Sequence, residues 1–484
     1  MKTKISILLC AVLTLASPGL YAATHVVLPG QSIQSTITAA SPGDQIIVKG
    51  GIYVESITID KNLDFRREAG TVVHINGNVT LSGITGAFTF AHFKIGSANN
   101  KTLTVTNCAD VYMEDVNATG GGGLSVTNSK VRGKHCWFST TGNITGATEF
   151  YFYDCSFGGN VTFTSSNWTM QECSITGNLT SNTSDTIFLR SNVTGSLTHN
   201  LTGDSNCTVF QSTIGERLHS KAGRSWIGYN TIRWVRVDAN ATIVGNEIDG
   251  RDGNSIGIYV SGANSEVFIT NNKIHHHGGN RSSDDQVDNI GVGVWIAQPA
   301  SSSTKVFNNN IWDCKLTGAS SNGGAYDNNN CGMGIYVQST GSTLIQGNII
   351  WNCYSSPSGS IKNASVYAPF EKVLMTHNNL RTRNPTGGVV GTDNLDVDPQ
   401  FDANQSLIGG SPCIDAGPPE VEFKDHDLSR NDMGAKGGHH FDANGASSSI
   451  PVVLSGNLSP IRIQKGVTGT VNLNSRAVVS TPKQ

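Results

Sequence analysis

Histidines and carboxylates crowd one stretch of this chain. His275, His276 and His277 are consecutive, and the alternation of an extended backbone would turn His275 and His277 to the same side. Two imidazoles on one face could hold a transition metal, for which further ligands would be needed; a solvated His-rich loop is the alternative. A few residues on, Asp284, Asp285, Asp288 and Asn289 gather oxygen ligands in one loop, as Asp393, Asp396 and Asp398 do near the end. Calcium takes several oxygen ligands from flexible loops, so Ca2+ is the cofactor these residues would bind, and no other is expected. The same Asp residues also have an ordinary use in turns.

The surrounding sequence carries cations and rings. Arg217, Lys221, Arg224, Arg233, Arg236, Arg251, Lys273 and Arg281 are interspersed with Trp226, Trp234, Tyr259, Trp295 and Tyr336. Guanidinium and ammonium groups meet carboxylates, and aromatic rings meet the apolar faces of sugars. Arg233, Arg236, Tyr259, Arg281, Trp295 and Tyr336 are therefore candidate contacts for an acidic sugar chain. A glycosidase acting on such a chain would need two carboxylates about 5–10 Å apart, which Asp252 with Asp284 or Asp288 could supply.

A repeat must position these groups. A small or polar residue, any residue and an apolar one recur as Cys136-Trp137-Phe138, Cys155-Ser156-Phe157, Cys173-Ser174-Ile175, Ser191-Asn192-Val193, Ser212-Thr213-Ile214, Asn230-Thr231-Ile232, Asn246-Glu247-Ile248 and Asn272-Lys273-Ile274. The apolar member advances by 19, 18, 18, 21, 18, 16 and 26 residues. A period near 20 that carries short strands describes a solenoid with one coil per repeat. Alternation within a coil turns Phe157, Val161 and Phe163 inward and Thr162 outward. The Cys, Ser or Asn of each phrase also faces inward, where stacked Asn amides can satisfy one another and the turn backbone. The later coils widen at one corner, over 249–256, 275–290, 312–331 and 351–365, so successive loops lie side by side and can wall a groove.

An inward Asn ladder at a bend resembles the pectate-lyase-like superfamily, whose fold is a right-handed parallel β-helix. Two further segments carry the likeness. Gln31 to Ala40 reads as a capping helix ahead of Gly43-Asp44-Gln45-Ile46-Ile47-Val48. A closing motif near 393–435 contains Asp398-Pro399-Gln400-Phe401 and Ser411-Pro412-Cys413-Ile414-Asp415-Ala416-Gly417. The resemblance implies an all-β solenoid over 23–440 and, in lyases of this fold, a base that removes the proton α to a uronate carboxylate beside a cation or Ca2+. It thereby implies Arg251, Lys273, His275, His276 and His277 as base or electrostatic candidates. Asp252, Asp284, Asp285 and Asp288 become carboxylate or metal candidates. Neither the Asn-Thr-Asp-Gly and Gly-His-Gly patterns of polygalacturonases nor the Arg-x-Pro-x-x-Arg of pectate lyases occurs.

The ends and the composition complete the expectation. Residues 1–22 read as a signal peptide, with Lys2 and Lys4 before the apolar run Ile5 to Ala16. That makes the protein secreted, periplasmic or extracellular, with no transmembrane segment. A linker, 441–449, leads to a strand-rich tail, 450–484. With 14% charged residues and a net charge of −3, no nucleic-acid partner is expected, and an elongated monomer is. Cys136, Cys155 and Cys173 share one coil position and predict a buried thiol column, while one bridge is expected among Cys314, Cys331 and Cys353. The function read from all this is a polysaccharide lyase or glycoside hydrolase on a uronate-containing polymer. The alternative is a non-catalytic adhesin or matrix component that binds a glycan. Thr145, Thr162, Thr180 and Thr198 would form one outward column, which also suggested a flat ice-binding face.

Overall fold

Between Thr24 and Val390 every strand pairing is parallel, each strand meeting its counterpart in a neighbouring coil. The computed structural model that shows this describes residues 22–96, 101–118, 123–164, 167–183, 185–251, 256–280, 291–317, 332–355, 365–369, 372–380, 389–438, 452–459 and 472–478. Among these residues one sheet has 27 strands and a second has 14. The chain is an all-β parallel β-helix, as its repeat requires.

One inward column explains the stacking. Leu103, Leu124, Gly142, Val161, Leu179, Leu197, Leu218, Val235, Ile258, Val294, Ile335 and Val366 occupy matching places in successive coils. All are buried, and for every member but Gly142, which has no side chain, the burial contributes about 1.5–3 kcal/mol. Gly142 gives way to a neighbour: a Cβ there would lie 2.9 Å from the Phe157 ring. The same register corrects the threonine column. Thr145 pairs with Thr164, and Asn143 is the residue beside Thr162.

The corner that carries the repeat phrase has its own logic. Arg190, Gln211, Tyr229, Gly245, Asn271, Asn308, Gly347 and His377 all take left-handed backbone angles, with φ between +47° and +67°. Each bend precedes an inward-facing residue whose N–H is left pointing toward the next coil, away from the sheet ladder. Side chains one coil on accept these donors. Cys136 N–H meets Cys155 Sγ at 3.3 Å, Cys173 N–H meets Ser191 Oγ at 2.9 Å, and Ser212 N–H meets Asn230 Oδ1 at 2.9 Å. From there the column is Asn230, Asn246, Asn272, Asn309, Asn348, Asn378 and Asn394, every Nδ2 donating to the next Oδ1 at 2.9–3.1 Å. Polar satisfaction of a buried turn, repeated per coil, is therefore what the phrase encodes.

The expected thiol column is present: Cys136, Cys155 and Cys173 are free and buried. Burial and the two flanking thiols push the Cys155 thiol well above its ordinary value, so it is unreactive. The expected bridge is corrected, because Cys314 and Cys353 are both free; Cys331 lies outside the described residues.

Near the start, Ile33–Ala39 is helical, with Ser32 Oγ accepting the Ser35 N–H at 3.0 Å and Ile33 and Ile37 buried. Near the end, Met433 and Cys413 pack on Ile349, and Asn308 Nδ2 donates to Asn431 Oδ1 at 2.9 Å, so 398–438 lies against the outer face of the late coils. Val452–Ser459 and Asn472–Val478 pair antiparallel. Among the described residues, no helix is long and apolar enough to cross a membrane.

Asp425 makes that late segment sensitive to pH. It accepts N–H groups from Asp432 and Gly438, yet burial, with Asp432 and Asp427 nearby, pushes its carboxyl up to about 6. A raised folded-state value means that its contribution is full in acid and is lost as pH rises through about 6. Amide protection over 398–438, corrected for intrinsic exchange, is expected to fall between about pH 4 and pH 6.5, and Asp425→Asn to flatten that slope. An unchanged slope in the variant would refute the assignment.

Candidate functional site

The outer face of the 27-stranded sheet changes character along one row. Its matching outward positions are Thr162, Thr180, Thr198, His219, Arg236, Tyr259, Trp295, Tyr336 and Tyr367. Small hydroxyl residues give way to a histidine, a guanidinium and then four rings, at the inter-strand spacing of about 4.8 Å. The Arg236 guanidinium lies 5.2 Å from the centre of the Tyr259 ring, and Tyr259 meets Trp295 edge-on at 5.2 Å. Trp295 and Tyr336 follow at 5.4 Å, Tyr336 and Tyr367 at 5.7 Å. Alongside the row, Arg217 covers Trp234 at 5.2 Å, and Arg233 forms a two-pronged pair with Glu216 at 2.9 Å.

Asp238 organises the polar end of the row. It sits two residues beyond Arg236 in the strand Thr231–Val237 and its following turn, on the same side of the chain. His219 Nε2 reaches its Oδ2 at 2.8 Å, while Arg236 Nε at 2.9 Å and Ser261 Oγ at 2.5 Å reach its Oδ1. Burial would raise the carboxyl, but the bonds from His219, Ser261 and Arg236 hold it far below the usual carboxylate range. It is an anion that fixes three side chains. An imidazole that donates Nε2–H to a carboxylate keeps Nδ1 as its basic nitrogen, the arrangement a general base needs. Among the described residues, Arg236 is hydrogen-bonded only through Nε, which leaves its terminal nitrogens, beside the Tyr259 ring, for a carboxylate ligand.

A second cluster occupies the corner where the coils widen. Asp249, His275, Trp312 and Trp351 are in register. The His275 ring stacks on Trp312 at 4.1 Å, its Nε2 lies 2.5 Å from Glu247 Oε1, and its Nδ1 lies 2.8 Å from His276 Nδ1. His276 reaches the same side because its φ is +53°, a left-handed bend that breaks the strand alternation. Thus His276, and not His277, is the neighbour of His275. His277 is fully buried, with Nε2 3.3 Å from the Ile248 carbonyl. Two glycines make room for it: a Cβ at Gly250 or Gly257 would come within 2.5 or 2.9 Å of its ring nitrogens. Burial would raise the Asp249 carboxyl, but the Arg251 N–H and the two imidazoles outweigh it and lower it.

The other sequence candidates take varied positions. Arg251 is exposed at a left-handed bend, its N–H on Asp249 Oδ1 at 3.0 Å. Lys273 Nζ is held by the Asn404 carbonyl at 3.0 Å. Tyr336 is only 5% exposed and packs with Val292 and Met333, so it supports the row from below, while Trp295 stays half-buried. Asp252, Arg281, Asp284, Asp285 and Asp288 lie outside the described residues, as does much of the loops that carry them. The parts that are described stack: Gly278–Asn280, Lys315–Thr317 and Tyr354–Ser355 form a parallel three-stranded sheet, which sets successive loops side by side. His219, Asp238, Glu247 and Asp249 are the chemically equipped residues that spacing did not single out. Their signal is the register itself, since each meets its partners one or two coils away.

No family model matches the chain, and no curated protein matches it. Among solved structures, the chain is similar to a PL6 alginate lyase in complex with a trisaccharide, with 13% identity over 80% of this chain and 92% of that one, at a TM-score of 0.32. It is similar also to the pectate lyase Pel9A, with 13% identity over 86% and 97% of the two chains, at a TM-score of 0.22. Likeness at this level carries no argument about chemistry, and the fold stands on the chain's own strand ladder.

Proposed function

We propose that this is a secreted carbohydrate-active protein that holds an acidic, uronate-containing polysaccharide along the outer row from His219 to Trp295 and cleaves it there. The observation that carries the reading is the row itself, with Asp238 fixing His219 and Arg236 at its polar end. A polymer of repeating rings suits a face whose contacts repeat every coil. Arg236 meets a uronate carboxylate through its free terminal nitrogens, and the rings of Tyr259 and Trp295 meet the apolar faces of neighbouring sugars. His219, through Nδ1, takes the proton α to that carboxylate, and the adjacent guanidinium stabilises the negative charge that develops. Proton loss at that carbon expels the β-linked sugar oxygen and leaves an unsaturated end.

The test is to incubate the full mature chain with uronate-containing and neutral polysaccharides, with and without Ca2+, and to weigh the products. Oligosaccharides one water lighter than hydrolysis products support the elimination. Products that carry the added water would replace it with hydrolysis, and intact polymers across the panel would overturn the catalytic reading.

A further inference from the structure

We propose that Asp249, His275 and His276 form a binding site for one divalent transition-metal ion of the zinc class. His275 Nδ1, His276 Nδ1 and Asp249 Oδ1 stand in a triangle with edges of 2.8, 3.3 and 3.6 Å. Three ligands of one ion, each at about 2.0–2.1 Å, lie about 3.3 Å apart in a tetrahedral site. Two imidazoles and one carboxylate are ligands suited to zinc, and three protein ligands leave a position open for water or a substrate oxygen.

The surroundings support a metal more than a chance contact. A ligating imidazole ordinarily turns its other nitrogen to a carboxylate, which fixes the ring and raises its basicity. His275 does so, its Nε2 2.5 Å from Glu247, and the other nitrogen of His276 faces Asp313 at the longer ion-pair distance of 3.7 Å. Asp313 is in turn held by Lys315 Nζ at 2.7 Å and by the Asn352 amide. Trp312, stacked on His275, prevents that ring from turning away. Among the described residues, Glu247, Asp249 and Asp313 bring three carboxylates to the two imidazoles, one of them paired with Lys315. His276 remains 41% exposed at its side chain, which gives an ion a way in.

Calcium is the wrong ion for this set, because it favours an all-oxygen shell. The site stands independently of the cleavage proposed above, since its readout is the ion alone. Zinc titrated into the full mature chain by calorimetry, with Co2+ absorption as a second readout, should give one equivalent bound. His276→Asn, which tolerates the left-handed bend, should weaken zinc by a hundredfold or more, and Glu247→Gln by about tenfold. His135→Asn is the control: His135 and His92 flank Asp115, with Asp154 beyond, yet among the described residues only Asp249, His275 and His276 bring three ligand atoms within 4.8 Å of one another. Circular dichroism establishes that each variant is folded. Absence of stoichiometric zinc, zinc affinity unchanged in His276→Asn, or equal loss in His135→Asn would each overturn the assignment.

Discussion

Asp238→Asn is expected to lower cleavage of a uronate polymer by about a hundredfold while polymer binding changes by only a few fold. Asp238 touches no substrate in this reading; it positions two residues that do. Its carboxylate accepts from His219, Arg236 and Ser261 together, which an amide cannot do, having one acceptor oxygen and a nitrogen that only donates. With the amide nitrogen turned to His219, Nε2 becomes the acceptor and Nδ1 carries the proton, so the ring faces the substrate with its basic nitrogen blocked. The split between turnover and binding separates positioning from a mere loss of folding: a variant that positions His219 wrongly keeps its circular dichroism and its KM and loses kcat, whereas a partly unfolded enzyme loses the folded signal as well. Arg236→Ala is the complement and should raise KM about tenfold, since it removes a charge-assisted contact to the polymer. Turnover unchanged in Asp238→Asn would sink the proposed role of His219.

Asn272→Ala is expected to cost about 3 kcal/mol and to loosen the coils on either side of it. Asn272 is fully buried; its Nδ2 donates to the carbonyls of Ile243 and Thr270 and to Asn309 Oδ1, while its Oδ1 accepts the backbone N–H and the amide of Asn246. Alanine removes the acceptor for a buried Asn246 N–H that no strand can reach. It also leaves carbonyls in two coils short of a donor. A solenoid couples each repeat mainly to its neighbours, so the damage should be local. Hydrogen exchange should rise over roughly 225–315 and stay unchanged over 103–164. A uniform loss of protection along the whole helix would show that the ladder is not a nearest-neighbour device. Thr162→Ala, by contrast, lies outward in the same sheet and should cost little.

The two changes differ in how far sequence alone could have led to them. The Asn column was legible because one coil contains its whole cause: a bend, an inward position and an apolar mark recur with the same local spacing. Cys136, Cys155 and Cys173 were legible for the same reason. Counting residues misplaced Thr145, because 19 residues separate it from its partner Thr164 while Thr162 and Thr180 are 18 apart. It remains on the outer face but in the adjacent row. Alternation likewise favoured His277 over His276, since it presumes continuous strand geometry and the bend at His276 interrupts it. The candidate bridge did not follow from the matching places of Cys314 and Cys353, which are both free and buried.

What the sequence by itself determined is the coil: its strands, its bends, its buried polar column and the corner from which the loops grow. These follow from hydrogen-bond satisfaction and side-chain alternation, which act over a few residues and repeat. Tertiary structure alone decided which charges meet. Arg236 and Tyr259 were both visible as sugar contacts, but that they adjoin, with Asp238 gathering Arg236, His219 and Ser261 from three coils, depends on turns of unequal length. Coils that vary from 16 to 39 residues shift every later residue along the axis, and only the stacking of inward side chains restores the register that brings these groups within reach of one another.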